Sequence, residues 1–360
     1  MEAPDDLLRK DEEVQEMNPA SEFIRKKFSE YYQKKGVIAP REIERREFGF
    51  GNDKKIDYRH YSFSTANELR NYLVNSTPLY ASFSSAYYEF PLAQPMAKKS
   101  MLGADLIFEF DAECEHSCLT CPDCLEKAKL DTIKLIEDFL IPDFGFDKKD
   151  ITITFSGSRG YHVYVVNDAV KQLSGEARRQ IVDYLQAKNL DIEGMIKRKG
   201  DATPDSKGWK GRLARAAYDY VQNSRLTHKG YISKKIAEGN YDSFKGNKAF
   251  WLKILKNKTV NLGSAIDQSV TIDISRLIRL PSTLHGGSSL LCDYVKDMDR
   301  FNPLNDAVVF YNPPMKIKLT KDIPEFILKE QTFGPFKASQ ETSIPEYAAI
   351  YLICKEAALP

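Results

Sequence analysis

The chain has 360 residues, 42% of them hydrophobic and 29% charged, enough for one large or two modest globular domains with a real core. Its 52 Lys+Arg against 51 Asp+Glu leave a formal net charge of +1, which excludes a protein that coats nucleic acid by uniform basicity and confines any such contact to a local basic groove. No apolar run reaches the roughly 18 residues of a membrane span, and the polar, acidic stretch from Met1 to Ser21 has no signal-peptide core, so a cytoplasmic chain without membrane contact is expected.

Residues 1–20 read as a flexible tail. Ser21 is placed to cap a helix running to about Lys35, with Phe23, Ile24, Phe28 and Tyr31 as its apolar stripe. Over 46–63 apolar and polar residues alternate around Gly51-Asn52-Asp53, a hairpin pattern, and a helix is expected over 65–74. Residues 104–111 are the sharpest strand signal, and 125–140 then repeat apolar residues at helical spacing. Strands are expected at 151–155 and 162–166, either side of Ser156-Gly157-Ser158-Arg159-Gly160. From 168 to 258 helical stretches alternate with basic loops, notably Lys197-Arg198-Lys199 and 207–215. Strand character returns at 270–274 and 290–295, before a helical or loop tail. This order points to an α/β catalytic core over 21–167, interrupted by a mostly helical insertion over 168–258 and resumed over 259–360.

Three segments carry candidate chemistry. Glu109 and Asp111 project from one face of a strand while Phe110 points to the other. Two carboxylates so placed repel unless a cation lies between them, and they suit hard divalent metals. At 156–162 two glycines let the backbone approach an anion closely, Arg159 offers a fork of donors matched to phosphate, and Ser156 and His162 flank it. At 273–285, Asp273 can supply a third carboxylate, and Arg276, Arg279 and His285 offer donors for a triphosphate. Each segment alone reads equally as a solvated strand end, a glycine hairpin or a basic loop; their combination favours a nucleotide and metal site.

Four of the six cysteines, Cys114, Cys118, Cys121 and Cys124, fall within eleven residues, with His116 among them. In a reducing compartment that clustering argues for metal rather than disulfides. The terminal C-x-x-C has zinc-knuckle spacing, and a structural zinc takes four S/N ligands, so one of the five candidates is spare. Cys292 and Cys354 stand apart and read as buried thiols.

Taken together, the segments resemble the small catalytic subunit of archaeal and eukaryotic DNA primases. The motifs come in that family's order: REFGF at 46–50, YASFSSAYY at 80–88, GADLIFEFDAE at 103–113, the cysteine cluster, FSGSRGYHVYV at 155–165, IDISRLIRLPSTLH at 272–285 and RFNP at 300–303. The resemblance covers about 46–306. It implies a primase catalytic core of mixed β-sheets flanked by helices, with a zinc-binding motif and a variable helical insertion. The implied activity is DNA-directed primer synthesis by two-metal nucleotidyl transfer from NTPs or dNTPs. The resemblance implies that Glu109, Asp111 and Asp273 hold catalytic Mg²⁺ or Mn²⁺, and that Ser156, Arg159, His162, Arg279 and His285 hold the incoming triphosphate. It also implies a structural Zn²⁺ on Cys114, His116, Cys121 and Cys124, with Cys118 as the alternative ligand. Implied partners are a single-stranded DNA template, nucleoside triphosphates and a large, iron–sulfur primase subunit in a heterodimer. Two departures stand out: Glu109 where the family's first acid is usually Asp, and a spacer between His116 and Cys121 that is one residue short. Two other readings fit the same residues: a repair primase-polymerase, and a non-catalytic zinc-bearing nucleic-acid-binding or assembly subunit.

Overall fold

The computed structural model describes residues 19–112, 114, 118–241, 247–263, 265–311 and 313–360. The first eleven strands in chain order are β1 (Phe48–Gly51), β2 (Tyr58–Tyr61), β3 (Tyr80–Ser84), β4 (Ala86–Tyr88), β5 (Met101–Ala104), β6 (Leu106–Asp111), β7 (Ile151–Phe155), β8 (Gly160–Val165), β9 (Leu277–Arg279), β10 (Thr283–Leu284) and β11 (Leu291–Tyr294). Two sheets dominate. One has the order β2-β1-β3-β9 and the other β10-β11-β7-β8-β6. Every pairing in both is antiparallel, so the expected mixed sheets are antiparallel instead. Tight connections explain this in part: β1 to β2 and β7 to β8 are hairpins, which only antiparallel strands can close.

Strand β6 shows how the pattern positions chemistry. Leu106, Phe108 and Phe110 enter a core with Leu135, Phe139, Val182, Leu185 and Trp209. Ile107 enters the other core, which brings Glu109 and Asp111 to that second face. The π-turn Leu135–Leu140 and the helix Gly175–Leu185 therefore cover the back of the sheet and leave the acids facing away from them. The expected 125–140 helix ends as an α-helix at Lys134 and continues as a π-turn over Leu135–Leu140. At the front of the fold, Arg46 is buried. It pairs with Asp105 at 2.6 Å, donates to the carbonyls of Ser84 and Ser85, and stacks on Tyr87, tying the start of the first sheet to the strand that carries the acids.

Between β8 and β9 the described chain is helical: Asp168–Lys171, Gly175–Leu185, Ile192–Met195, Gly208–Asn223, Lys229–Ala237, Asn247–Leu262 and Gln268–Ile272. Ile192, Leu213, Val221, Ile236, Trp251 and Leu255 form a core of their own there.

Three expectations are corrected. The first helix starts at Pro19, so Ser21 lies inside it and residues 19–20 are not tail; residues 1–18 lie outside the described residues. The strand expected at 270–274 is a helix, Gln268–Ile272, because the Asp267 side chain accepts the Ser269 N–H at 2.8 Å and caps it. The helical or loop tail holds five strands besides its helix Glu346–Cys354: β12 (Pro314–Leu319), β13 (Phe326–Leu328), β14 (Gln331–Phe333), β15 (Glu341–Pro345) and β16 (Ala358–Leu359). In β12, Ile317 and Leu319 alternate with exposed lysines, the period of a half-buried strand.

Candidate active site and metal centre

One cavity of about 450 Å³ is lined from both sheets. The β1–β2 hairpin contributes Lys55 and Arg59, β3 contributes Ser82, and β9 contributes Arg279. From the second sheet come Glu109 and Asp111 of β6, His162 of β8, Ser156, Ser158 and Arg159 of the β7–β8 loop, and His285 after β10. Asp273, Ser275 and Arg276 complete the wall from the segment that leads into β9. The nine residues singled out from sequence for metal and phosphate thus line one space. Lys55, Arg59, Ser82, Ser158 and Ser275 were not singled out. A larger cavity of about 770 Å³ lies beside the helix Gly208–Asn223, but Asp143, its most buried acid, is already paired with Arg212 at 2.6 Å and Tyr184 at 2.7 Å.

The acids differ in environment. Glu109 sits opposite His162 in the β6–β8 ladder, and its Oε1 lies 3.3 Å from His162 Nε2. Burial pushes the Glu109 carboxyl up, but the His162 hydrogen bond and charge, then Arg276 and Lys55, outweigh it and hold it below the usual value. Asp111, at the solvent-reachable end of the strand, is pushed up by the surrounding cavity wall and then by the charge of Glu109. Asp273 follows the helix Gln268–Ile272 and accepts from Ser275 N–H at 3.0 Å and Ser275 O–H at 2.7 Å, both on Oδ1. The three carboxylates share the cavity wall without converging: among the described residues, the one group of three such ligand atoms within 4.8 Å of one another is the cysteine set.

Cations line the same cavity. Arg279 is 9% exposed, its Nη1 has no hydrogen-bond partner, and its guanidinium carbon lies 5.2 Å from the centre of the Tyr80 ring. Burial lowers its pKa, so the charge is held at a cost. His285 is also buried, and burial followed by Arg279, Lys355, Lys55 and Arg159 keeps it well below the ordinary histidine value. Gly287 N–H donates to His285 Nδ1 at 3.1 Å, which assigns the proton of the neutral ring to Nε2. Arg59 is gripped by the fully buried Glu47 through Nε at 2.8 Å and Nη2 at 3.1 Å. In the β7–β8 loop, Ser156 Oγ accepts from the N–H groups of Ser158 and Gly160. Gly157 has φ +75°, and a Cβ there would lie 3.0 Å from His285 Cβ.

The cysteine cluster begins three residues beyond Asp111. The Sγ atoms of Cys114, Cys121 and Cys124 lie within 4.8 Å of one another, and Cys118 Sγ is 3.6 Å from Cys114 Sγ. Zinc–sulfur bonds of about 2.3 Å give a tetrahedron with edges of about 3.8 Å; Cys114 and Cys118 stand near that spacing, Cys121 and Cys124 are closer at 2.9 Å, and the chemistry of the donor set suits a thiolate-bound metal. His116 lies outside the described residues. Of the other thiols, Cys292 is buried and Cys354 partly so.

Comparison with known proteins adds the decisive observation. The family model described as "DNA primase small subunit" matches residues 111–297, just over half the chain. The chain belongs to the DNA primase small-subunit family. Relatives named DNA primase small subunit PriS agree over nearly the whole length. That of Methanothrix thermoacetophila is 34% identical, covering 93% of this chain and 97% of its own. That of Archaeoglobus fulgidus is 35% identical, covering 92% and 96%. The more distant Nitrosopumilus maritimus protein is 30% identical, covering 93% and 97%. The primase family match begins at Asp111 and ends past His285, so it spans the β7–β8 loop, the helical stretch and the Asp273–His285 segment. No helix among the described residues is long and apolar enough to cross a membrane.

Proposed function

We infer that this chain is a DNA primase, a nucleotidyltransferase that synthesises primers for DNA replication. In a member of this family, the observation that carries the chemistry is the single cavity with Glu109, Asp111 and Asp273 on its wall beside Lys55, Arg59, Arg159, Arg276 and Arg279. That pairing of carboxylates with cations suits a metal-bound triphosphate.

Glu109, Asp111 and Asp273 are our assignment for Mg²⁺ or Mn²⁺, since hard oxygen donors fit either ion. Such ions, when bound, offset charge on the transferring phosphoryl group and make the attacking 3′-hydroxyl more acidic. The chain's own residues position the nucleotide. Arg279 is the phosphate anchor, because a buried guanidinium with an unpartnered N–H gains an anion rather than giving up water to take one. Ser156, Arg159 and His162 take further phosphate oxygens from the β7–β8 side, and neutral His285 donates from Nε2. Lys55 and Arg59 add charge from the hairpin, with Glu47 orienting Arg59. The longer Glu109 reaches the same face as the family's Asp while holding His162.

We assign a structural zinc to Cys114, Cys121 and Cys124, with Cys118 as fourth ligand on the strength of its 3.6 Å approach to Cys114 and His116 as the alternative. Residues 168–258 are read as the insertion into a core formed by 21–167 and 259–360. Family membership implies a single-stranded DNA template, nucleoside triphosphates and a large-subunit partner.

The test is synthesis on unprimed single-stranded DNA with labelled NTPs or dNTPs and Mg²⁺ or Mn²⁺, comparing the chain with Asp111→Ala. Synthesis that vanishes in the variant supports the activity and the site together. Synthesis that survives in the variant removes the site assignment. Failure of the unaltered chain even with a primed template and the large subunit would leave the binding-subunit reading.

A further inference from the structure

The near-neutral net charge hides a partition. Residues 168–258 hold 20 Lys+Arg against 10 Asp+Glu, a net of +10, while the rest of the chain holds 32 against 41, a net of −9. Some of these cations are internally paired: Arg179 with Glu176, Lys188 with Asp183, Lys210 with Asp201 and Arg212 with Asp143. Lys197, Arg198, Lys199 and Lys234 are exposed and form no ion pair among the described residues.

The backbone brings these four together from two segments. Gly200 N–H donates to the Gly239 carbonyl at 3.2 Å. A Cβ on Gly239 would lie 2.8 Å from Gly200 backbone atoms, and both glycines have positive φ. Two glycines in contact thus press the Lys197–Arg198–Lys199 loop against the end of the helix Lys229–Ala237, which carries Lys234 and Lys235. The arrangement registers on Glu238, whose carboxyl is pulled down by its Lys235 hydrogen bond and by the charges of Lys199 and Lys234. On the same helix Tyr231 is 53% exposed, with Lys235 Nζ 5.5 Å from its ring centre. Clustered cations beside an exposed ring are what a flexible strand of phosphates and bases requires: charge for the backbone and a flat face for a base.

We propose that the Lys197–Lys199 loop and the Lys234–Lys235 helix end, with Tyr231, form a second single-stranded nucleic-acid contact, outside the catalytic cavity. It rests on the primase reading only for the choice of ligand. Because the rest of the chain is net acidic, this surface supplies much of the long-range attraction that brings the strand in.

The experiment measures binding of fluorescein-labelled oligodeoxythymidylate by anisotropy between ~50 and ~200 mM salt. The full chain is compared with K197Q/R198Q/K199Q/K234Q and with K98Q/K316Q/K318Q/K321Q, which removes as many exposed charges elsewhere. The first variant should lose at least about tenfold in affinity, with a shallower salt dependence by roughly 2 to 3 in log–log slope, since each phosphate neutralised on a single strand contributes ~0.7 through the counterion it releases. Tyr231→Ala should lose roughly fivefold or more with the slope unchanged. All substituted side chains are exposed, and unchanged melting temperatures check the folds. Equal losses in both lysine variants would mean that net charge alone matters and would overturn the proposal. Unchanged binding by the first variant would overturn it too, leaving the patch to an acidic protein partner. Nucleotide incorporation is assayed in parallel: a chain that binds through the patch but incorporates nothing sinks the catalytic reading and leaves this one standing.

Discussion

Arg279 is a cation withdrawn from water, and no carboxylate lies within ion-pair distance of it among the described residues. Native folds keep such a group only where something else gains by it. Arg279→Met should therefore raise the melting temperature while lowering kcat/KM for nucleotide by at least about 100-fold, a loss of about 2.7 kcal/mol of transition-state stabilisation. Differential scanning fluorimetry and steady-state incorporation measure the two effects, and a fall in both would mean that the guanidinium is a packing element. Its neighbour His285 makes a pH prediction. The unfolded ring titrates near 6.5, and the folded ring stays neutral well below that. The unfolded chain then binds the extra proton, so stability present above about pH 6.5 is lost as pH falls, at up to about 1.4 kcal/mol per pH unit. His285→Gln should flatten that limb in melting curves taken from pH ~7.5 to ~5.5. At this scale sequence was informative where the rule is local. Alternation along a strand suffices to place Glu109 and Asp111 on one face. Lys55 and Arg59 carry no such mark, because only the pairing of β1 with β3 and of β3 with β9 turns their hairpin toward the acids.

The β7–β8 loop is built on a single backbone conformation. With φ +75° at Gly157 and three neighbours at 3.0–3.1 Å from a would-be Cβ, Gly157→Ala has both a strained dihedral and no room. It should destabilise by about 1–3 kcal/mol and, by moving His285 and Arg159, raise KM for nucleotide more than it lowers kcat. Urea denaturation and kinetics read both, and an intact KM would separate the loop from phosphate binding. Elements with strong local signals were legible: the β1–β2 hairpin, β6, and the strands flanking Gly157. Asp273 was expected on a strand because Val270, Thr271 and Ile272 are all β-branched, but one capping aspartate, Asp267, outweighs that weak preference. The strands after 314 are short, and their alternation at Ile317 and Leu319 is too brief to stand out beside exposed lysines.

Across the whole molecule, the cysteine segment is a joint between distant parts of the chain. Tyr351 O–H donates to the Leu119 carbonyl at 2.7 Å, and Ile327 N–H donates to Thr120 Oγ1 at 3.0 Å. A metal there would fix both the end of β6 and the docking of the C-terminal sheet. Cys121→Ser should reduce bound zinc, measured by plasma mass spectrometry. It should also lower the melting temperature and speed amide exchange over 314–359, while kcat measured well below the melting transition stays near normal. Full stability without zinc would defeat that assignment. The motif was legible from spacing alone, whereas its mechanical reach was not, since residues 119 and 351 meet only in the folded chain.

The partition of charge between residues 168–258 and the rest of the chain also governs how copies of the molecule meet. With an isoelectric point near 7.5, the chain has almost no net repulsion at neutral pH to keep copies apart, yet each copy carries a strongly cationic segment that attracts the net-acidic remainder of the next. Head-to-tail pairing of this kind fades once the Debye length shrinks to about 10 Å at ~0.1 M salt. The protein would then cloud in dilute buffer, clear on adding salt, and cling to a cation exchanger that its isoelectric point says it should ignore.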